Sequence, residues 1–184
     1  MNYHELMIAG TGGKGVLLIG RLLAQAGMKK YEHALFFPNY APAMRGGECE
    51  CTVIMSDKAI GYPVMFEPVF TIIMTSSALM LMENRVKPNG CMMIDSSIIT
   101  EEIKRDDITV YRVPATEKAV ELGGTQAANM VLLGAYLELT KAVSIEVVME
   151  VLENKLKDKS HKAILELNNL AMNEGAKLMA KNAK

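Results

Sequence analysis

The sequence of 184 residues has no tryptophan, and half of its residues are hydrophobic. It also lacks an excess of charge of either sign, since its net charge is −1. A near-neutral chain gives no electrostatic basis for binding nucleic acid. No apolar run reaches the ~18 residues that a membrane span requires. His4 and Glu5 stand where a secretory signal would carry basic residues. We therefore expect a cytoplasmic protein with no membrane attachment.

Cysteine is scarce and odd in number, with thiols at Cys49, Cys51 and Cys91. An odd count argues against a disulfide framework and fits a reducing compartment. The Cys-x-Cys spacing suggests a metal at first, but structural zinc and iron–sulfur clusters usually take four ligands. Cys91 is far along the chain and His33 belongs to another predicted strand. We predict no metal site and expect Cys49 and Cys51 to lie on the buried face of one strand.

Side chains in a catalytic arrangement are also missing. The three histidines, His4, His33 and His161, are scattered, and no Ser-His-Asp or Cys-His order with supporting sequence occurs. This absence indicates a chain that binds and positions a ligand while the chemistry is supplied elsewhere. We assign no catalytic residue.

A glycine-rich turn near the start is the strongest positive signal. An apolar run from Leu6 to Ala9 leads into glycines at positions 10, 12, 13 and 15, and then into a proline-free stretch from Val16 to Met28. This order predicts a strand, a tight turn and a helix. The first amides of a helix lack internal partners and lie at the positive end of its dipole, so the turn can hold phosphate or carboxylate. A merely tight strand-to-helix connection is the alternative.

Gly10, Gly12 and Gly15 also fit the G-x-G-x-x-G spacing of dinucleotide-binding folds. Those folds need an acidic residue about 20 positions on, at the end of the second strand. Here the second predicted strand, 33–37, ends in Phe-Phe-Pro-Asn, and Glu32 lies at its beginning. A P-loop would need Lys and Ser or Thr after Gly15, where a valine stands. NAD and ATP are therefore both disfavoured.

The segment from Phe37 to Gly47 holds two prolines, an asparagine and a Gly-Gly pair, which predicts a long loop. Arg45 is its one charge, beside Gly46 and Gly47. An arginine on a mobile backbone is suited to a bidentate grip on phosphate or carboxylate. The alternative is an ordinary surface arginine. If both loops leave the carboxyl ends of adjacent parallel strands, Arg45 and the glycine turn meet at one crevice.

The remaining chain alternates strands and helices and then becomes helical. We predict strands at 48–56, 69–74, 91–94 and 109–113, and helices at 78–84, 114–122, 126–141, 144–156 and 160–179. The run Thr-Ser-Ser at 75–77 offers a cap for the first of these helices, Thr125 can cap the helix at 126–141, and Ser144 starts the next one. The pattern predicts an α/β fold: a single three-layer Rossmann-like domain over residues 1–184, with a mainly parallel sheet and a helical C-terminal third.

Two finer expectations concern one helix face and one turn. In the last helix we expect an inward stripe made of Ile164, Leu167, Leu170, Ala171 and Leu178. The run Asp-Ser-Ser at 95–97 follows a buried strand at its carboxyl end, where open α/β sheets place ligand groups. The alternative is that these residues only begin the next turn.

Three stretches share their spacing with a known family. Residues 8–16 read IAGTGGKGV, residues 40–47 read YAPAMRGG and residues 127–135 read AANMVLLGA. In this order they resemble the G-x-G-G-x-G-V, Y-G-x-E-x-R-G-G and A-x-N-M-x-x-L-G-A motifs of the gamma subunit of 2-oxoacid:ferredoxin oxidoreductases. The departures are Lys14 where Gln is common, Ala41 in place of Gly, and Ala43 in place of Glu. The last removes an acidic neighbour of Arg45.

The resemblance implies a subunit of a multi-subunit enzyme that oxidatively decarboxylates a 2-oxoacid to its acyl-CoA. The 2-oxoglutarate type looks most similar, and pyruvate and 2-ketoisovalerate enzymes use close relatives. Thiamine diphosphate and iron–sulfur clusters would belong to partner subunits, namely alpha, beta and in some cases a ferredoxin-like delta subunit, with ferredoxin as electron acceptor. This chain would help to bind coenzyme A or shape the active-site cleft, and it would not be active alone.

With this resemblance, the ligand that we expect at the anion site is a phosphate of coenzyme A, with a partner subunit's carboxylate as the alternative. The expected binding residues are Gly10, Gly12, Gly13, Lys14, Gly15, Arg45, Gly46 and Gly47. Two other functions stay open: a stand-alone Rossmann-like nucleotide-binding oxidoreductase, and a purely architectural subunit.

Overall fold

The fold is built on a six-stranded mixed sheet. The computed structural model describes residues 2–40, 47–62, 65–156 and 161–182. The strands are β1 Tyr3–Thr11, β2 His33–Tyr40, β3 Glu48–Ser56, β4 Phe70–Ile73, β5 Cys91–Asp95 and β6 Thr109–Val113. Their order in the sheet is β2-β3-β1-β4-β5-β6. β1, β4, β5 and β6 are parallel, while β3 runs antiparallel to both of its neighbours, so β2 points the same way as β1.

Helices cover both faces of this sheet and make three layers. They are α1 Val16–Gly27, α2 Ser76–Met82, α3 Ala115–Glu121, α4 Ala128–Thr140, α5 Ile145–Lys155 and α6 Lys162–Asn182. The larger core lies between the sheet and α1, α3, α4, α5 and α6, and a smaller core lies under α2. The predicted α/β fold, with its mainly parallel sheet and helical C-terminal third, is confirmed.

β1 is buried because its side chains alternate between the two cores. Leu6 and Ile8 pack in the larger core, whereas Met7 and Ala9 pack in the smaller one. A continuous apolar run is what a strand covered on both faces requires. The strand therefore holds its carboxyl end, and the glycine turn that follows, at a fixed place on the edge of the sheet.

α4 and α6 approach each other backbone to backbone. A Cβ at Gly134 would collide with the carbonyl of Met172, and one at Gly175 would collide with the carbonyl of Val131. Glycine at both positions removes the side chains that would keep the helices apart. Every residue from Ala128 to Leu137 is buried, so the first turn of α4 is fixed inside the domain.

The predicted end of β2 and the predicted cap at Thr125 need correction, whereas the predicted cap within residues 75–77 is confirmed. β2 runs to Tyr40 instead of ending at Phe37, because proline is tolerated on an edge strand, where one side needs no amide. Thr125 caps no helix: it begins a 3-10 turn, and α4 starts after it without a side-chain cap. Thr75, the first residue of the predicted Thr-Ser-Ser cap, does cap α2, and Ser144, the predicted start of the next helix, caps α5.

The expected inward stripe of α6 is wrong in part. Ile164 and Leu170 are 48% and 54% exposed. The buried positions are Ala171, Met172, Gly175 and Met179. The contact that orients this helix is the close approach at Gly175, which apolar spacing does not reveal. Among the described helices, none is both long and apolar enough to cross a membrane.

Candidate functional site

The glycine turn between β1 and α1 depends on two glycines in the left-handed region. Gly13 has φ of 91° and Gly15 has φ of 82°, values that L side chains rarely adopt. The amide of Lys14 donates to the carbonyl of Thr11 at 3.2 Å and closes the turn. The carbonyl of Gly15 accepts the first hydrogen bonds of α1.

The start of α1 is open. Within the described residues, the amides of Gly13, Gly15, Val16 and Leu17 donate no hydrogen bond. The residue at the cap position is Gly15, which has no side chain to offer. Unpaired amides at the positive end of a helix form a place for an anion. The geometry thus suits the predicted cradle.

The turn borders a cleft of about 480 Å³ at the carboxyl ends of β1, β4 and β5. Open α/β sheets hold their ligands at such an edge. The volume suits a small ligand or part of a larger one. The lining residues are Gly12, Gly13, Lys14, Met74, Asp95, Ile98, Thr116, Thr125, Gln126 and Ala128.

Asp95 is the one carboxylate among the lining residues, and its hydrogen-bonding capacity is used inside the fold. Its Oδ1 accepts from the amides of Ser97, Ala115 and Thr116 at 3.1–3.2 Å, and its Oδ2 accepts from the Thr116 hydroxyl at 2.6 Å. The residue is 2% exposed. Of the two alternatives for the Asp-Ser-Ser run, the structure therefore supports a turn that ties β5 to α3.

Lys14 is the one cation among the residues that line the cleft. Its side chain is exposed and has no ion pair within the described part of the chain. Because Asp95 is already bonded on both oxygens, the charged group left available in the cleft is this ammonium, next to the backbone amides of the glycine turn. An anionic ligand is favoured on both counts.

The loop that carries Arg45 ends beside the glycine turn. The amide of Gly12 donates to the carbonyl of Gly47 at 3.0 Å. The prediction that this loop follows a strand adjacent to β1 is wrong, since β3 lies between β1 and β2. The two loops nevertheless meet, because β2 and β1 point to the same edge. Arg45 and Gly46 lie outside the described residues.

Gly10 does not line the cleft. It is the buried penultimate residue of β1, where a Cβ would lie 3.0 Å from the Cβ of Met74 and 3.1 Å from Cγ2 of Val16. Its lack of a side chain lets the residues after β4 and at the start of α1 approach β1. Gly10 therefore shapes the turn from inside the fold.

Asn129, in the first turn of α4, packs against the same turn and was not predicted as a site residue. Its Cγ lies 3.0 Å from where a Cβ of Gly15 would stand, and its Nδ2 lies closer still. The residue is 4% exposed, and its Oδ1 has no hydrogen-bond partner among the residues that the structure describes. The available signal was that Asn129 and Gly15 both occur in motifs of the resemblance, but nothing local indicates that they touch.

A second cavity, of about 210 Å³, opens on the α2 side of the sheet. Here Glu50 accepts from Arg85 at 2.8 Å and from Asn39 at 3.0 Å. Glu48 adds a further carboxylate to the lining. An anion is disfavoured beside these groups, so the glycine-turn cleft is the better candidate.

The cysteines are packing residues to different degrees. Cys51 is buried beneath α1, and its thiol donates to the carbonyl of Val16 at 3.6 Å. Burial raises the pKa of Cys51 to about 12 and also raises the pKa of Cys49, which is only half-buried. The expectation is confirmed for Cys51 and in part for Cys49. In the described ranges, no group of three His, Cys, Asp or Glu side chains lies close enough together to hold a metal ion.

Comparison with known families decides the class of the chain. The family described as pyruvate ferredoxin/flavodoxin oxidoreductase matches residues 5–178. The chain belongs to this family. The matched range includes every residue of the three motifs on which the resemblance is based. The resemblance is thereby confirmed.

Curated relatives are subunits of such enzymes. The chain is 32% identical to the 2-oxoglutarate synthase subunit KorC of Methanothermobacter marburgensis, with 98% of each chain covered. It is 33% identical to the ketoisovalerate oxidoreductase subunit VorA of the same organism, over 73% of this chain and 28% of that subunit. The chain is therefore a subunit of a 2-oxoacid:ferredoxin oxidoreductase, and the stand-alone enzyme is disfavoured.

Solved structures show the same fold. The gamma subunit of a keto/oxoacid ferredoxin oxidoreductase from Geobacter sulfurreducens has a TM-score of 0.80 at 24% identity, with 97% of this chain and 99% of that chain covered. The 2-oxoglutarate:ferredoxin oxidoreductase from Magnetococcus marinus, solved with 2-oxoglutarate, coenzyme A and succinyl-CoA bound, has a TM-score of 0.87 at 23% identity. That match covers 98% of this chain and 32% of the longer one.

Proposed function

We propose that this chain is the gamma-type subunit of a complex that oxidises 2-oxoglutarate, and that its glycine turn binds a phosphate of coenzyme A. The substrate is supported by the KorC relative, which matches over almost the full length of both chains. Coenzyme A is supported by its presence in the Magnetococcus marinus structure. In the reaction, the 2-oxoacid loses carbon dioxide, its acyl group bonds to the sulfur of coenzyme A in place of the thiol hydrogen, which leaves as a proton, and two electrons pass to ferredoxin.

The observation that carries the ligand proposal is the open start of α1. Within the described residues, four amides at the start of α1 donate no hydrogen bond, and one of them belongs to Gly13, which lines the cleft together with Lys14. The one carboxylate among the lining residues is already bonded to four donors. A phosphate group accepts several N–H bonds at once and carries the matching charge. In this proposal, Gly12, Gly13, Lys14, Gly15 and Gly47 frame the phosphate.

Three more residues complete the proposed site. Arg45 would add a bidentate contact through its guanidinium group, with Gly46 next to it on the loop that ends at Gly47. Gly10 supports the turn from within β1 and does not touch the ligand. The chain acts as one domain over residues 1–184, which agrees with the extent of the family match.

The chemistry in this proposal belongs to partner subunits. Thiamine diphosphate and the iron–sulfur clusters are held by the alpha and beta subunits and, where one is present, by a ferredoxin-like delta subunit. The complex works in the cytoplasm with ferredoxin as electron acceptor. The buried, protonated thiol of Cys51 is unsuited to ligating a cluster, which supports this division of labour.

The test is Lys14→Gln in the reassembled complex, with Lys87→Gln as the matched control. Lys87 is also exposed but precedes β5, at the opposite edge of the sheet. Loss of one exposed charge-assisted contact should raise the KM for coenzyme A by roughly five- to tenfold. The control and the KM for 2-oxoglutarate should stay within about twofold. An unchanged KM for coenzyme A in Lys14→Gln would contradict the proposed site.

Arg45→Ala separates the ligand from the interface alternative. Weaker binding of coenzyme A with normal subunit association supports a ligand contact. Normal binding with failed association supports a partner carboxylate instead. If neither changes, Arg45 is an ordinary surface residue.

The isolated chain should show no turnover. Among the described residues that line the cleft, the one carboxylate is Asp95, which is bonded inside the fold, so no acid–base pair faces the cleft. Reduction of a viologen dye by this chain alone, with 2-oxoglutarate and coenzyme A, would overturn the division of labour. Comparing 2-oxoglutarate, pyruvate and 2-oxoisovalerate as substrates of the complex then checks the proposed substrate.

A further inference from the structure

Asn129 has a placement that packing alone does not explain. It is 4% exposed, on a helix whose neighbouring positions are apolar, and its Oδ1 has no hydrogen-bond partner in the described part of the chain. A buried polar group without a partner is costly and therefore uncommon. An apolar side chain of similar size would fill the same space without that cost.

What Asn129 does touch is the turn that frames the cleft. Its carboxamide occupies the space beside Gly15 in which any Cβ would stand. Gly15 is the left-handed residue from which α1 starts, and the unpaired amides lie immediately around it. A turn made of glycines has few side-chain contacts of its own and a large backbone entropy to lose. It therefore needs support from another element to keep one conformation.

We infer that Asn129 is a positioning residue for this cleft: its buried carboxamide holds Gly15 in the left-handed conformation that turns the amides of the loop towards the ligand. This inference rests on the proposed binding of coenzyme A at the glycine turn. The support comes from α4, which is itself fixed by its close packing on α6. The glycine turn is thus supported by Asn129, on the face of the turn that packs against α4.

The effect follows from the fraction of molecules whose turn is ready to bind. When only a fraction of a protein is competent, the apparent affinity falls by that fraction. Asn129→Ala removes the carboxamide and leaves its Cβ about 3.5 Å from the Gly15 position, so the turn gains freedom. We expect the KM for coenzyme A to rise roughly fivefold, while kcat and the KM for 2-oxoglutarate stay within about twofold.

Leu137→Ala is the matched control, since Leu137 is buried in the same helix two turns further on. It should lower the melting temperature without moving the KM for coenzyme A. If Asn129→Ala lowers the melting temperature and leaves that KM unchanged, Asn129 is merely structural and the inference is wrong. If Lys14→Gln raises the KM while Asn129→Ala does not, the inference fails and the proposed function stands. If neither variant moves it, the proposed site itself fails.

A double-mutant cycle tests the contact without any ligand. In the wild-type background, Gly15→Ala meets the carboxamide of Asn129 and the strain of a positive φ, whereas in Asn129→Ala only the strain is left. The loss of melting temperature from Gly15→Ala should therefore be clearly smaller in the Asn129→Ala background. Strictly additive losses would contradict the proposed contact.

Discussion

Two helices begin at the same edge of the sheet, and their first amides are treated in opposite ways. At the start of α3, the amides of Ala115 and Thr116 donate to Asp95, a carboxylate supplied by the end of β5. At the start of α1, the amides of Gly13, Gly15, Val16 and Leu17 find no acceptor within the described residues. One helix start is closed by an internal anion, and the other is left open.

This difference indicates that the start of α3 contributes to stability, whereas the start of α1 is available for binding. Capping a helix start typically contributes about 1 kcal/mol, and a buried charged acceptor contributes more. α3 gains this stabilisation from Asp95. α1 forgoes it, and the same amides are then available to an external anion. Gly15 at the cap position has no side chain that could compete with a ligand for these amides.

The largest effect is expected from removing the internal anion. Asp95→Ala leaves three amides and a hydroxyl without their acceptor at a buried site, and should lower the free energy of unfolding by about 3–5 kcal/mol. Urea denaturation of the chain, followed by circular dichroism, measures this. Asp95→Asn keeps one acceptor oxygen and should lose roughly half as much. A loss below about 1 kcal/mol for Asp95→Ala would contradict the claim that Asp95 stabilises the start of α3.

A smaller effect separates the two left-handed glycines of the open side. Gly15→Ala combines a positive φ with a collision against Asn129, and should cost about 2–4 kcal/mol. Gly13→Ala meets nothing within 4 Å and should cost only about 1 kcal/mol. The same urea measurement compares them. Equal losses would mean that Asn129 does not pack against Gly15.

The smallest effect concerns the two thiols of β3. Cys49 pairs with Gly10 beside the open turn, whereas Cys51 lies beneath α1. A maleimide reagent at pH 7.5 should label Cys49 well before Cys51, because burial raises the pKa of Cys51 to about 12 and shields it. An unfolded thiol ionises near pH 9, so the stabilisation from the protonated Cys51 should fall as pH rises from about 9 towards 12. Labelling of Cys51 as fast as Cys49 would contradict the packing beneath α1.

The parts of the fold that the sequence predicts are those with local causes. The strand, glycine turn and helix at 3–27 are visible because an apolar run, four glycines and a proline-free stretch follow one another. β3 and β6 have the predicted bounds for the same reason. The family was predictable because its three motifs are short local patterns, which can be recognised without knowing the fold.

The parts that the sequence does not predict depend on contacts between distant residues. Nothing local shows that β3 inserts between β1 and β2, or that Asn129 meets Gly15 more than a hundred positions earlier. The two readings of Asp95 could not be separated, because a carboxylate at a strand end has the same local sequence whether it bonds to a ligand or to the next helix. The face of α6 depends on a glycine contact that hydrophobicity does not record.

The central claim is that the open start of α1 is a binding site and the closed start of α3 is not. Hydrogen–deuterium exchange of the assembled complex, with and without coenzyme A, tests it most directly. We predict that coenzyme A slows exchange of the amides from Gly13 to Leu17 and leaves those of Ala115 and Thr116 unchanged. Unchanged exchange at the glycine turn with saturating coenzyme A, in a complex that turns over normally, would contradict the claim.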